Sequence, residues 1–322
     1  MKRKIAALFV ASLMAFSTAA CGGAGNTNSN RTASDEASSE STDAGTDKEE
    51  QAEETVQVTV EKQVLADWDE GLTITLTGIE ADAYSTKLKL LVENNTSYNV
   101  SVISSDISVN DCYLDSGSKL GDVPAGKKAN QELMLGGISG ASFLTAVGID
   151  PVGSVECSFK INDNSVDTSS GASAEIYHSD PVEIKTSAYD QINADAISEG
   201  TELYNQDGVR IVAKGIVTDI TGYGPCLYVE NTTDKDLMLL SYDTTVNSFV
   251  PEFGGSMQWL IPAGKQAAEI MILYYDSTIA DESAVSDITD IEFGFYIADM
   301  AVYDGWSDEG IIADTGMLTY TP

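Results

Sequence analysis

The feature that most constrains the fold of this chain is an internal repeat. The string V-E-N-N-T returns as V-E-N-T-T at a spacing of 137 residues, from Asn94 to Asn231. Further strings match in the same order: V-N at 109–110 and 246–247, P-A-G-K at 124–127 and 262–265, and the alternating segments 155–161 and 291–297. Ordered matches whose spacing drifts by a residue indicate duplication of one structural unit. We therefore predict two copies of one domain, copy 1 at 56–190 and copy 2 at 191–322.

Both copies show the period-two alternation of apolar and polar residues that is typical of a half-buried strand. The pattern is clear at 72–76 in copy 1 and weaker at 209–213 in copy 2, and turns rich in Asn and Thr follow the next strands. Helical turns are predicted only at 142–147 and 277–285. Six to eight short strands per copy predict an all-β chain of two tandem immunoglobulin-like β-sandwich domains.

The repeated strings also carry a family resemblance. The order V-E-N-x-T, V-N, P-A-G-K and I-E-F-x-F-x-I resembles the uncharacterised immunoglobulin-like domains that are repeated in clostridial cell-surface lipoproteins. The resemblance covers both copies and implies a sandwich fold at the cell surface. Its residues mark strand ends, turns and core positions, so it implies no activity.

The N-terminus has the three parts of an export signal at 1–20: a basic start, an uncharged apolar run at 5–16, and small residues. That run is too short to span a bilayer. The string T-A-A-C, which ends at Cys21, resembles the bacterial lipobox, although Thr18 stands where leucine is most frequent. The resemblance implies lipid on Cys21, and cleavage without lipidation is the alternative. Because two acyl chains anchor a protein stably, we predict a lipoprotein on the extracellular face of the cell membrane.

Residues 21–55 are mostly Gly, Asn, Ser, Thr, Asp and Glu, which predicts a disordered acidic tether about 30–35 Å long. The whole chain has 17 basic and 51 acidic residues and a net charge of −34. Such a charge opposes binding to nucleic acid and adsorption to anionic lipid. The predicted partners are the membrane, through the N-terminal lipid, and a protein or cell-envelope component.

Three cysteines lie beyond Cys21. Cys112 and Cys157 align with Phe249 and Phe293 of copy 2, so both positions change together, which favours contact between them. A disulfide there would contribute about 4 kcal/mol, comparable to burial of two phenylalanines at roughly 3–6 kcal/mol. The alternative is two free buried thiols. Cys226 is predicted to face outward without a partner.

Catalytic and metal-binding patterns are weak in this chain. Its single histidine, His178, lies in Y-H-S-D-P with no nucleophile motif nearby, which favours a surface loop. The acidic turns at 67–71 and 205–208 do not complete an EF-hand, so they are interpreted as ordinary turns, with calcium as an alternative. We predict no catalytic residues, no metal site and no cofactor.

Exposed aromatic residues are the remaining candidates for ligand recognition. Trp306, Tyr303, Trp259 and Trp68 fall in or near predicted loops and suit a sugar or a partner protein. The leading interpretation is a non-enzymatic lipoprotein that presents two immunoglobulin-like domains for protein or envelope interaction. The alternative is a small-ligand module that binds glycan or calcium through these aromatic residues or the acidic turns.

Overall fold

The computed structural model describes residues 58–322 except 83, 116, 138–139, 219–222, 252–256, 274–287 and 306. The predicted signal peptide, Cys21 and the tether lie outside the described residues. Residues Val56–Pro322 form one compact unit. No helix in the described ranges is long and apolar enough to cross a membrane.

Copy 1 is an antiparallel sandwich of two sheets. Its elements are β1 (Gln63–Trp68), β2 (Leu72–Ala81), β3 (Thr86–Asn94), β4 (Val100–Val109), β5 (Cys112–Asp115), β6 (Lys119–Val123), β7 (Lys127–Leu135), α1 (Gly140–Val147), β8 (Ser154–Asp163), β9 (Glu175–His178) and β10 (Val182–Lys185). One sheet has the order β1-β2-β3-β7. The other contains β10-β8-β4-β5, with β6 paired to β4 and β9 paired to β8. The helix predicted at 142–147 corresponds to α1, whereas the one predicted at 277–285 lies outside the described residues.

Copy 2 repeats this arrangement. Its elements are α2 (Ala194–Ser198), β11 (Thr201–Gln206), β12 (Val209–Thr218), β13 (Tyr223–Asn231), β14 (Leu237–Val246), β15 (Gln258–Ile261), β16 (Gln266–Ile270), β17 (Ile291–Asp299) and β18 (Ile311–Tyr320). The sheet order β11-β12-β13-β16 matches β1-β2-β3-β7, and β15-β14-β17-β18 matches β6-β4-β8-β10. The predicted all-β fold of two tandem immunoglobulin-like sandwiches is thus confirmed.

The repeated Asn of the V-E-N-x-T string pins the turn that follows its strand. Asn94 is buried, and its Nδ2 donates to the backbone oxygens of Tyr98 and Val123, each at 2.9 Å. Asn231 donates in the same way to Lys235 and Ile261. A buried amide held by these bonds closes one end of each sandwich, which gives the motif a structural role.

Each sandwich has its own core, and the two cores meet. Strand residues such as Leu90, Val102 and Phe159 fill copy 1, while Ile211, Phe293 and Phe295 fill copy 2. The core of copy 1 also takes in side chains from β12, β13 and β16. Copy 2 therefore has one sheet with apolar residues on both faces.

Candidate functional site

The two copies are joined by one pair of parallel strands. β5 of copy 1 lies beside β16 of copy 2, with Cys112 opposite Gln266 and Tyr113 opposite Ala267. The pair connects the β10-β8-β4-β5 and β16-β13-β12-β11 strands into one continuous sheet. Tyr113 packs into the core of copy 2, while Cys112 belongs to the core of copy 1. The joint is thus built from backbone pairing with apolar packing on both faces.

Charged groups also cross this joint. Lys265 Nζ of copy 2 lies 3.1 Å from Glu156 Oε1 of copy 1. Nearby, Lys214 Nζ donates to the backbone oxygens of Ala196 and Ile197 at 2.6 and 2.7 Å, at the end of α2. Burial lowers the pKa of Lys214. The Lys265–Glu156 pair supplements the apolar packing of the joint, whereas the Lys214 contacts lie within copy 2.

The outer face of the β12-β13-β16 layer is covered by copy 1, whose helix α1 contacts β12 and β13. This face contributes the following residues to the core of copy 1: Val212, Val217, Cys226, Tyr228, Ala268 and Ile270. Cys226 points away from the core of copy 2, as predicted, but its thiol is fully buried because copy 1 lies over it. Burial raises the pKa of Cys226 to about 12. Its predicted exposure is therefore wrong.

The disulfide predicted between Cys112 and Cys157 is not formed in this structure, where both residues are buried free thiols. β4 lies between β5 and β8, so the two cysteines are separated by at least two strand spacings, about 9–10 Å. A disulfide needs Cα atoms within about 7 Å. The equivalent phenylalanines do not form a buried pair either, because Phe249 is 75% exposed whereas Phe293 is in the core. The paired change from Cys to Phe therefore does not reflect a contact.

The four aromatic residues predicted as a ligand surface are not brought together. Trp259 is only 4% exposed and belongs to the core of copy 2, so it cannot act as a platform. Trp68 is half-buried in copy 1 and stacks on Tyr177, with ring centroids 5.5 Å apart. Tyr303 is half-buried in the loop before β18, and Trp306 lies outside the described residues. In the described part, these residues do not form one surface.

A different aromatic pair lies on the outer face of copy 2. Tyr242 of β14 and Tyr296 of β17 stack with ring centroids 4.4 Å apart, and Tyr242 Oη donates to Asp314 Oδ1 at 2.5 Å. Burial and this hydrogen bond raise the pKa of Tyr242. The equivalent residues of copy 1 are Ser105 and Lys160. Sequence reasoning missed this pair, although comparison of the two copies at these positions contains the signal.

The end of copy 2 carries a second feature that the sequence analysis missed. Phe249 and Val250 follow β14 and are each 75% exposed. Their equivalents in copy 1 are Cys112 and Tyr113, which are buried in β5 at the joint. The segment of copy 1 that forms the joint therefore has an equivalent in copy 2 that is apolar and exposed to solvent.

His178 lies in a polar cluster that resembles part of a hydrolase site. Its Nε2 is 3.3 Å from Ser158 Oγ, and its Nδ1 is 4.0 Å from Glu175 Oε1. Ser158, however, is fully buried and also contacts Ser105 and Asp106. A nucleophile needs access to its substrate, and a distance of 4.0 Å is too long for the carboxylate to orient the ring. The cluster is best explained as a polar anchor for β9.

The acidic turns are hairpin turns in the structure. Asp207 and Gly208 both have positive φ, +55° and +79°, as a tight type I′ connection between β11 and β12 requires. Asp67 accepts a hydrogen bond from Thr73 Oγ1 at 3.1 Å. Across the described residues, no three His, Cys, Asp or Glu side chains are grouped as a metal site would need.

No protein-family model matches the chain, and no curated protein matches it. Among solved structures, the chain is similar to the Salmonella enterica SafA pilin in complex with the SafB chaperone. That match has 13% sequence identity and a TM-score of 0.17, and it covers 73% of this chain and 89% of the other.

Proposed function

We propose that this protein is a non-enzymatic lipoprotein of the extracellular face of the cell membrane, held by lipid on Cys21, where it presents two joined sandwiches to a protein or envelope partner. The observation that carries the proposal is the joint. Backbone pairing, an ion pair and a shared apolar layer hold the two copies as one body with a large outer surface. Ser158, which lies beside the single histidine, is fully buried, and this favours surface recognition over catalysis.

The anchoring half of the proposal is tested by the Cys21→Ala substitution. We expect this variant to lose lipid, measured by incorporation of labelled fatty acid, and to leave the membrane fraction. Cys226→Ala is the matched control, since it removes a buried thiol and leaves the lipobox intact. Lipid incorporation into the Cys21→Ala variant, or its full retention in the membrane fraction, would contradict the anchor.

The interaction half is tested by capture from envelope extracts with the folded chain as bait. Partners identified by mass spectrometry are then compared between wild type and a variant altered on one surface at a time. A partner that binds every surface variant equally well argues against specific recognition, as does the absence of any enriched partner.

A second candidate function, glycan binding, is favoured by the Tyr242–Tyr296 pair. Sugar rings pack on exposed aromatic faces, and Asp314 supplies an acceptor beside the pair. A bound glycan raises the melting temperature because it binds only the folded state. We expect Tyr296→Ala to abolish such a shift and the control Tyr189→Ala, in copy 1, to preserve it. No shift with any glycan in a broad panel would leave the protein-interaction role.

A further inference from the structure

The joint between the two copies shows how two sandwiches of this kind can pair through their strand edges. At the joint, β5 of copy 1 supplies a short apolar strand, and the edge strand β16 of copy 2 receives it. Because the copies are duplicates, each molecule also contains the equivalent of β5 in copy 2 and the equivalent of β16 in copy 1. In the described part of the chain, neither of these pairs with the other copy.

The unused donor is the segment that follows β14. In copy 1, the turn at Asn110 and Asp111 leads into β5, and both residues have positive φ. Asn247 and Ser248 repeat this conformation in copy 2, and Phe249 then pairs back with Val246 as Cys112 pairs with Val109. Copy 2 thus begins the same hairpin as copy 1, and the apolar side chains of Phe249 and Val250 face solvent.

The unused acceptor is β7, the end strand of its sheet in the described part of the chain. A groove of about 630 Å³ lies beside it, lined by residues that include Leu120, Gln131 and Met134. Gln131 Oε1 is buried and has no hydrogen-bond partner in the structure. Met134 is among the exposed large apolar residues. An open strand edge with an unsatisfied acceptor beside it suits an incoming extended segment.

Charge complementarity supports the same match. The ion pair at the joint joins Glu156 of copy 1 to Lys265 of copy 2. Their equivalents are Glu292, in the I-E-F segment of copy 2, and Lys127, in the P-A-G-K turn of copy 1. Lys127 is exposed and Glu292 is half-buried. A second molecule that binds with the geometry of the joint would bring Glu292 of one molecule close to Lys127 of the other.

We propose that this protein associates head to tail with a second molecule of itself, the Phe249–Val250 segment of one molecule pairing in parallel with the β7 edge of the next. Val250 then lies opposite Ala129, as Tyr113 lies opposite Ala267 at the joint. Such a contact leaves a donor and an acceptor free at the two ends, so assemblies lengthen with concentration unless they close into rings.

The contact between molecules is weaker than the joint within one. The outer face of β16 carries Ala268 and Ile270 at the joint, whereas the equivalent residues of β7 are Asn130 and Glu132. Glu132 forms an ion pair with Lys89, so this face is polar. The apolar layer is therefore reduced, and we expect reversible association of the kind seen at small interfaces. Confinement on a membrane, which rests on the proposed function, would raise the effective concentration.

A charge swap tests the proposal in soluble protein without lipid, by sedimentation equilibrium in about 0.15 M salt to screen general repulsion. We expect E292K and K127E each to weaken self-association roughly tenfold, because each places like charges together. The double variant restores the opposite charges and should regain wild-type association. A nonspecific charge effect predicts otherwise, since E292K makes this acidic chain less negative and would strengthen association.

The register is tested by cysteine cross-linking on a Cys21→Ala background. We expect a mixture of V250C and A129C molecules to form a mixed disulfide dimer under mild oxidation. In the control mixture V64C replaces A129C, which places the thiol on the opposite edge of the same sheet, and no dimer is expected. A monomeric wild type at all concentrations, or cross-linking equal to the control, would overturn the proposal. Neither result touches the lipid anchor, which the Cys21→Ala fractionation tests separately.

Discussion

At the scale of residues, burial determines the chemistry of the thiols. Cys112, Cys157 and Cys226 are all buried, and burial is the largest cause that raises the pKa of each. A thiol is nucleophilic only as the thiolate, so the folded state keeps these groups inert. This protection could not be predicted for Cys226 from its own strand, since the side chains that cover it come from the other copy.

We expect none of the three thiols to react with a thiol reagent at pH 8 in the folded protein, and all three to react in denaturant. The physical reason is the low thiolate fraction at pKa values near 12. Mass spectrometry of the labelled, non-reduced protein counts the modified residues. Fewer than three labels on the denatured chain lacking Cys21 would reveal a disulfide that the structure does not contain.

The same pKa shift predicts a dependence of stability on pH. Burial raises the pKa of Cys157 from 9.0 to about 12, so the stabilising contribution is complete below pH 9 and is lost as pH rises toward 12. Between pH 9 and 10 one such thiol reduces the free energy of unfolding by about 1 kcal/mol. Urea unfolding at the two pH values should therefore show a smaller fall for Cys157→Ala than for wild type. Equal falls would mean that the folded thiol ionises normally.

At the scale of elements, strand ends and turns are repeated more faithfully than strand faces. The buried Asn of each V-E-N-x-T string makes the same backbone contacts in both copies. The faces, in contrast, have diverged, with Cys226 in copy 2 where copy 1 has Lys89. Turn geometry tolerates little change, whereas a face adapts to whatever covers it.

Asn231→Ala tests the turn. Removal of this buried amide leaves backbone carbonyls and the Thr233 N–H without their partner, which should lower the free energy of unfolding by about 2–3 kcal/mol. The control is Asn95→Ala, at an exposed position beside the equivalent residue, which should change stability by less than about 0.5 kcal/mol. Urea unfolding measures both, and similar values for the two variants would contradict the anchoring role.

The alternation of residues predicted the sandwich and most of its strands, but not the joint. β5 has only four residues after an Asn-Asp turn, too few to show a period. Trp259 was misplaced because β15, which holds it, is equally short. A signal for the joint is present at 225–229. The string P-C-L-Y-V is apolar throughout, whereas the equivalent string of copy 1, L-K-L-L-V at 88–92, contains a lysine. A continuous apolar strand indicates burial on both faces, which in this chain means contact with the other copy.

At the scale of the whole molecule, the joint makes the two sandwiches mutually dependent. Copy 2 without copy 1 would expose Tyr228 and Ile270 to water, and copy 1 without copy 2 would lose part of its core. Exposed apolar surface of this kind favours aggregation. We expect residues 56–322 to melt in a single calorimetric transition, with equal calorimetric and van't Hoff enthalpies.

Ala268→Asp tests this coupling, because it buries an uncompensated charge at the joint. We expect a loss of about 3 kcal/mol or more, or a split into two transitions, by scanning calorimetry. Asn130→Asp makes the same acid at the equivalent, exposed position of copy 1 and should have little effect. If the two variants melt alike, the copies are not coupled through this face.

The different outer faces of the two copies also limit how the gene can change. Copy 1 keeps Lys89 and Glu132 on the sheet face where copy 2 carries Cys226 and Ile270. The duplicated units are therefore not interchangeable modules: reversing their order would expose the apolar sheet and set the charged one against a neighbour. A third unit after copy 2 would be joined as firmly as copy 2 is to copy 1 only if its first sheet were apolar like that of copy 2, so the order of the units is set by which of the two first sheets has become apolar.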